Sequence, residues 1–178
     1  MLRSIAEHIL DIAQNSVKAG AKTIRIELEE FENDHFRFVI EDDGKGMEDP
    51  KIAFDPFYTS RDPRIRKVGL GLPFLKQSAE LTGGYVKLET EVGKGTKVEA
   101  LFKLSSIDCP PIGDIAGVVS SLIFSDDEIR WRIIRKKNGE VLYDIDSKEL
   151  KEKYGDAIRS PSFMKIFMES LQEIEENS

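Results

Sequence analysis

One stretch of the chain places a carboxylate directly before two glycines. Residues 39–46 read VIEDDGKG, and apolar and polar residues alternate through the positions before them, which predicts a half-buried strand. Asp42 falls on the apolar face of that strand, where a carboxylate without a hydrogen-bond donor costs several kcal/mol. The exocyclic amine of adenine is such a donor, and Gly44 and Gly46 would let a flat ring approach the backbone. Taken alone, the stretch is equally typical of an ordinary strand followed by a turn.

A predicted first helix, residues 4–19, carries a second group of polar side chains. Four of them recur at spacings of three and four, so they share one helix face: His8, Asp11, Asn15 and Lys18. An imidazole, a carboxylate, an amide and an ammonium together suit a phosphate and a metal ion. The alternative is a solvated polar face, but Asn15 is a poor helix former in mid-helix.

Two further segments suit a phosphate. Residues 48–68 lack periodicity and end in a cluster of cations, which indicates either a lid over bound phosphate or an irregular surface loop. Residues 69–73, GLGLP, then open a helix that runs to about residue 81. Glycines before a helix leave free N–H groups at its positive end, which is an anion site, although one Gly-x-Gly is weak evidence.

The elements around these residues predict a sheet with one covered face and mostly antiparallel pairing. The predicted strands of the first part of the chain are 24–29, 36–42, 85–90 and 96–104. Residues 105–113 contain two prolines and are predicted to be a linker. Beyond them the sequence predicts a helix, a hairpin closed by Asn138-Gly139, and two more helices. The predicted domains are therefore 1–104 and a small α+β unit, 114–178.

Composition limits the classes of partner. The chain has 178 residues and a net charge of -7, which argues against a nucleic-acid backbone as the main partner. No apolar run reaches the roughly 18 residues of a membrane helix, so no membrane partner is expected. The single cysteine, Cys109, suits a reducing compartment. These features predict a cytoplasmic protein.

Five motifs together resemble the GHKL family, which contains gyrase-type ATPases, heat-shock chaperones, histidine kinases and mismatch-repair ATPases. Their order along the chain is the family's order: an N box at 11–20, glycine boxes at 42–46, 69–72 and 93–96, and a kinase-type F box at 54–60. The full chain also resembles stand-alone ATP-binding proteins encoded near iron-hydrogenase subunits in anaerobic bacteria.

The resemblance implies the Bergerat fold, an α/β fold of the α+β two-layer sandwich type. A mixed, mostly antiparallel sheet would be covered on one face by helices, with ATP or ADP and Mg²⁺ bound between helix layer and lid. Residues 114–178 would form a small C-terminal appendage.

The resemblance also implies roles for individual residues. Asp42 would take the adenine amine, with Gly46 and Thr96 lining the base. Asn15 would hold Mg²⁺ and act in catalysis, and Lys18 would touch phosphate. The remaining implied nucleotide contacts are Gly44, Thr59, Gly69, Leu70, Gly71 and Leu72.

Two positions depart from the family pattern. The ATPase branches place a glutamate general base four residues before the N-box asparagine, where this chain has the shorter Asp11 as candidate base. Lys67 replaces the first glycine of the second glycine box.

Three functions therefore remain open. The first, which we favour, is a regulatory kinase that phosphorylates a His or Ser on an unidentified protein partner. The second is an ATP-hydrolysing conformational switch with Asp11 as base. The third is a nucleotide sensor that binds a protein partner without catalysis.

Overall fold

A computed structural model describes residues 3–55, 71–125 and 128–178 of the chain. The helices are α1 (Ile5–Lys18), α2 (Pro50–Ala53), α3 (Gly71–Leu81), α4 (Ile115–Ile123), α5 (Ser147–Tyr154) and α6 (Pro161–Glu176), with a 3₁₀ turn at Gly155–Arg159. The strands are β1 (Thr23–Phe31), β2 (His35–Asp42), β3 (Tyr85–Glu91), β4 (Gly95–Lys103), β5 (Arg130–Lys137) and β6 (Glu140–Asp146).

These strands form one six-stranded sheet in the order β3-β4-β2-β1-β5-β6. The neighbours β1 and β5 run parallel, and the other pairs are antiparallel. The predicted α/β fold, with a mixed and mostly antiparallel sheet, is confirmed.

One face of the sheet packs against the helices, as the alternating strands predict. The largest fully buried side chains on that face belong to four neighbouring strands: Trp131, Phe36, Phe38, Phe102, Ile24, Ile26, Leu28 and Ile40. Ile5, Ile9 and Ile12 of α1 complete this core from the helix layer. The opposite face carries ion pairs, such as Arg37 with Glu99 at 3.1 Å. A helix layer on one face leaves the ends of the strands open for a site.

Local signals fix the ends of α1. The Ser4 hydroxyl accepts a hydrogen bond from the Glu7 N–H at 3.1 Å, which caps the start of the helix. The N–H groups of Ile5 and Ala6, which have no partner within the helix, donate to the carbonyls of Pro111 and Ile112, both at 2.9 Å. The segment 105–113 is therefore tied to the start of the helix that carries Asp11 and Asn15.

Residues 114–178 extend the same sheet. Strand β5 pairs with β1 along its whole length, from Thr23 opposite Arg130 to Glu30 opposite Lys137. The division at 105–113 stays a prediction about domain boundaries, and the sheet itself runs across it. Among the residues with described positions, no helix is long and apolar enough to cross a membrane.

Candidate functional site

Asp42 ends β2 on the helix-covered face and is 9% exposed. Its Oδ2 accepts a hydrogen bond from the Ser16 hydroxyl at 2.6 Å, and its Oδ1 accepts one from the Gly44 N–H at 2.9 Å. Each carboxylate oxygen can accept more than one hydrogen bond, so lone pairs remain. The protein thus supplies two of the donors that a buried carboxylate needs, both of them neutral.

Ser16 is a site residue that the sequence reasoning missed. It lies on α1 directly after Asn15 but faces the core, where it is 3% exposed. The signal was present in the sequence, because a serine interrupts the apolar stripe at three residues from Ala13 and four from Ile12. A buried hydroxyl in such a stripe needs an acceptor, and Asp42 is that acceptor.

Two threonines continue the row from Asp42 across the sheet. Asp42 lies opposite Thr96 on β4, and Thr96 lies opposite Thr90 on β3. The hydroxyls of Thr90 and Thr96 are 2.9 Å apart, and the Thr90 hydroxyl also accepts the Met47 N–H at 2.9 Å. The sequence pointed to Thr96 but not to Thr90, which ties the loop after β2 to β3.

The glycines of this loop are required by protein contacts. Gly46 has a φ of 73°, and a Cβ there would come 2.1 Å from the Glu91 carbonyl oxygen. A Cβ at Gly44 would lie 2.9 Å from the Ala19 carbonyl oxygen and 3.0 Å from Asp42 Oδ1. The sequence reasoning gave access for a flat ring and an allowed positive φ as the reasons for these glycines, and Gly46 has that positive φ. It did not foresee the close contacts with the Ala19 and Glu91 carbonyls.

Asp11 and Asn15 lie on the half-buried side of α1, facing the start of α3. A methyl group at Gly71 would lie 3.5 Å from Asn15 Nδ2 and 3.7 Å from Asp11 Cβ. Asn15 Nδ2 is buried and has no hydrogen-bond partner among residues 3–55, 71–125 and 128–178. Lys18 is exposed in the last turn of α1, and Leu72 is 3% exposed within the core. The structure therefore brings together Asp11, Asn15 and Gly71.

Arg3 is a further residue that the sequence reasoning missed. Its guanidinium forms an ion pair with the Asp11 carboxylate, and its Cζ lies 5.6 Å from the ring centroid of Phe74 in the first turn of α3. The Arg3 and Asp11 side chains are 37% and 28% exposed. No local pattern signals this pair, because a residue before the helix must fold back over two turns to make it.

His8 does not belong to the face of Asp11 and Asn15, which corrects the expectation of four polar residues in one row. It is 2% exposed, and its ring centroid lies 6.0 Å from that of Phe102. Burial, with a further contribution from the charge of Arg3, lowers the pKa of His8 from 6.5 to about 4. A neutral, buried imidazole is a core residue here, so it does not serve as a phosphate contact.

Three of the expected nucleotide contacts, Thr59, Gly69 and Leu70, lie outside the described residues, as do most of the F box and Lys67. A cavity of about 450 Å³ lies elsewhere, beside Glu30, Arg135 and Glu175. The candidate site is thus defined by its side chains and by the ends of β2 and α1, and that cavity is no part of it.

The relatives found by comparison with known proteins include an anti-sigma factor and a histidine kinase. The chain is 34% identical over 85 residues to an anti-sigma F factor of Clostridium novyi, covering 48% of this chain and 55% of that protein. It is 32% identical over 94 residues to the signal transduction histidine-protein kinase ArlS of Staphylococcus aureus, covering 49% and 21%. The chain thus spans about half the length of the first relative and about a fifth of the second.

A solved structure and a family match agree with this likeness. The structure of the Aquifex aeolicus MutL ATPase domain complexed with ADP superposes with a TM-score of 0.51 at 14% identity, covering 90% of this chain and 70% of that one. Residues 2–106 match the family described as histidine kinase-, DNA gyrase B- and HSP90-like ATPases. Since this match covers more than half of the chain, the protein belongs to the histidine kinase-, DNA gyrase B- and HSP90-like ATPase family.

Proposed function

We propose that the end of the sheet at Asp42 binds ATP with Mg²⁺, and that the γ-phosphoryl group passes to a His or Ser side chain of a partner protein. The family supports the nucleotide. The choice of phosphoryl transfer over hydrolysis depends on one observation, the ion pair that already engages Asp11.

Adenine recognition is assigned to Asp42. Its two protein partners are the Ser16 hydroxyl and the Gly44 N–H, and within the described part of the chain no cation pairs with it. A full negative charge with spare lone pairs is suited to the exocyclic amine of adenine. Thr96 lies directly opposite on β4, where it would contact the same ring.

Asn15 is the residue that would hold Mg²⁺, and the structure allows it. Its amide is half-buried, and its Nδ2 has no partner among the described residues, so protein contacts do not fix the group. Amide and carboxylate oxygens are the ligands that Mg²⁺ takes, usually together with substrate phosphates. When bound, Mg²⁺ would neutralise charge on the phosphate oxygens. Lys18, exposed one turn further on, would reach a phosphate oxygen.

Transfer is favoured because the residue at the general-base position is not free. Asp11 forms an ion pair with Arg3, and a carboxylate that holds a cation is a weaker proton acceptor. Phosphoryl transfer has a loose transition state and depends mainly on positioning and charge, so it needs a base less than hydrolysis does. Two relatives are, by name, an anti-sigma factor and a histidine-protein kinase.

A second candidate function is an ATP-hydrolysing switch that acts through residues 105–178. The likeness in fold to the MutL ATPase domain covers 90% of this chain and so includes most of that region. The contact of Pro111 and Ile112 with the start of α1 would link the site to it. In this function Asp11 would act as base after releasing Arg3.

Labelled ATP distinguishes the candidates. The purified chain is incubated with γ-labelled ATP and Mg²⁺, alone and with an extract of the organism that makes it. We expect label on a protein of the extract, and loss of that label with Asn15→Ala. Release of phosphate at the same rate with and without extract, with no labelled protein, would instead support the switch. Binding of ATP with neither product would support the nucleotide sensor.

A further inference from the structure

Arg3 is fixed against the catalytic face of α1 by contacts on two helices. Its guanidinium pairs with the Asp11 carboxylate and lies over the ring of Phe74, 5.6 Å from the centroid, where a cation is attracted to the π-face. Its charge also contributes to the lowered pKa of His8, one turn before Asp11. The position of Arg3 is therefore set by one contact with α1 and one with α3.

These contacts contribute little to stability. The Arg3 and Asp11 side chains are 37% and 28% exposed, and ion pairs at this exposure are screened by water. The pair is better explained by what it does to Asp11. A carboxylate that is bound by a guanidinium has its charge compensated and its lone pairs engaged, so it takes a proton less readily.

The reaction that this suppresses is hydrolysis. In that reaction a water oxygen forms a bond to the γ-phosphorus, and the bond from that phosphorus to the bridging oxygen breaks. ADP leaves with the electron pair of the broken bond, and the proton of the attacking water passes to a carboxylate oxygen of Asp11. A positioned base contributes about 10²- to 10⁴-fold to such a step.

We infer that Arg3 is a positioning residue that restrains ATP hydrolysis by holding Asp11, so that the γ-phosphoryl group is kept for the partner protein. This inference rests on the proposed function, because it needs ATP bound at Asp42 and Asn15. It assigns to Arg3 the choice between water and a protein side chain as phosphoryl acceptor.

The test measures phosphate release and ATP affinity for five forms of the full chain: wild type, Arg3→Gln, Arg3→Lys, Arg3→Gln with Asp11→Asn, and Arg132→Gln. Arg3→Gln should raise phosphate release about two- to fivefold, the range set by an ion pair at this exposure, with unchanged ATP affinity. Arg3→Lys keeps the cation and should stay near wild type. The double variant should release phosphate no faster than the wild type, because it lacks the Asp11 carboxylate that Arg3→Gln sets free.

Arg132→Gln is the matched control. Arg132 forms a comparable ion pair with Asp144 at 3.1 Å, on strands β5 and β6, and its side chain is 45% exposed. It should leave phosphate release at the wild-type rate.

Several outcomes would overturn the inference. Wild-type phosphate release in Arg3→Gln, with ATP still bound, would show that Arg3 does not restrain Asp11. A gain that survives Asp11→Asn would show that another group is the base. Weaker ATP binding in Arg3→Gln would make Arg3 a phosphate contact instead. Failure of the wild type itself to bind ATP is a separate result, which removes the proposed function and the inference together.

Discussion

Two carboxylates, Asp42 and Glu30, lie on the same helix-covered face at opposite ends of the sheet. They differ in the groups that donate hydrogen bonds to them. Asp42 ends β2 opposite Ile24, and Glu30 lies near the end of β1 opposite Phe36. They are almost equally buried, at 9% and 7% exposed. Burial alone therefore does not separate them, and the difference lies in what donates to each.

The charge of Glu30 is compensated by an ion pair with Arg135. Arg135 donates from Nη2 to its Oε1 at 2.7 Å, and the same guanidinium binds Glu175 of α6 at 3.0 Å. Burial opposes the charge of Arg135, but the hydrogen bonds and charges of Glu175 and Glu30 outweigh it and raise the pKa of that guanidinium. The Tyr143 hydroxyl adds a bond to Glu175 at 2.9 Å. This cluster ties α6 to the sheet.

Asp42 has no such cation among the described residues. Its partners, the Ser16 hydroxyl and the Gly44 N–H, orient the carboxylate without cancelling its charge. The cavity of about 450 Å³ beside Arg135 is the poorer guide to function, because Arg135, Glu30 and Glu175 in its lining already pair with one another. The end of the sheet at Asp42, a carboxylate without a cation among the described residues, is the better candidate.

The largest effect is expected from a substitution of Arg135, the cation at the Glu30 end of the sheet, and it is an effect on stability. Arg135→Met would remove the cation that Glu30 and Glu175 share and leave Glu30 only the more distant Lys137, at 3.9 Å. Removal of one partner from a buried ion pair typically costs about 3–5 kcal/mol. The free energy of unfolding, measured by urea titration, should fall by that amount, while ATP affinity of the folded protein stays the same. A fall no larger than that of the exposed Arg132→Gln would contradict the assignment of Arg135 as a structural residue.

At Asp42 we expect the opposite result, a large loss of ATP affinity with a small loss of stability. Asp42→Asn keeps the shape of the side chain but removes the charge and can turn a donor towards the adenine amine. ATP affinity, measured by calorimetry, should fall about a hundredfold, with a smaller effect on stability. Asp43→Asn is the control, since Asp43 accepts from the Lys22 and Thr23 N–H groups at 2.7 and 3.0 Å on the exposed side. Wild-type affinity in Asp42→Asn would remove the assignment of the adenine site.

The smallest effect tests whether Ser16 orients Asp42. Ser16→Ala deletes the 2.6 Å hydrogen bond to Asp42 and should weaken ATP binding about five- to tenfold, the size of one hydrogen bond. Ser120→Ala is the matched control, because Ser120 is 6% exposed and its Oγ has no partner within the described residues. Equal ATP affinities for the two variants would show that Ser16 does not act through Asp42.

Local features of the fold could be predicted because their causes are local. The caps at Ser4, Asp146 and Ser160 and the turn at Asn138, which has a φ of 51°, depend on residues close in sequence. The alternation of apolar and polar residues along β2 predicted which face of the strand is covered, and Asp42 is buried on that face. The same signals predicted antiparallel pairing in the first part of the chain, although not that β2 and β4 are neighbours.

Tertiary structure alone decided which distant residues meet. Ser16 and Asp42 are 26 positions apart, and Arg135 and Glu30 are 105 apart, so no periodic pattern within one element could pair them. The parallel pairing of β5 with β1 likewise joined a segment predicted as a separate unit to the sheet. The sequence by itself determined where a carboxylate would be buried. Only the folded chain determined that Glu30 receives a cation, that Asp42 has none among residues 3–55, 71–125 and 128–178, and that Asp11 is held by Arg3. Charge compensation depends on which side chains the fold brings within hydrogen-bond distance.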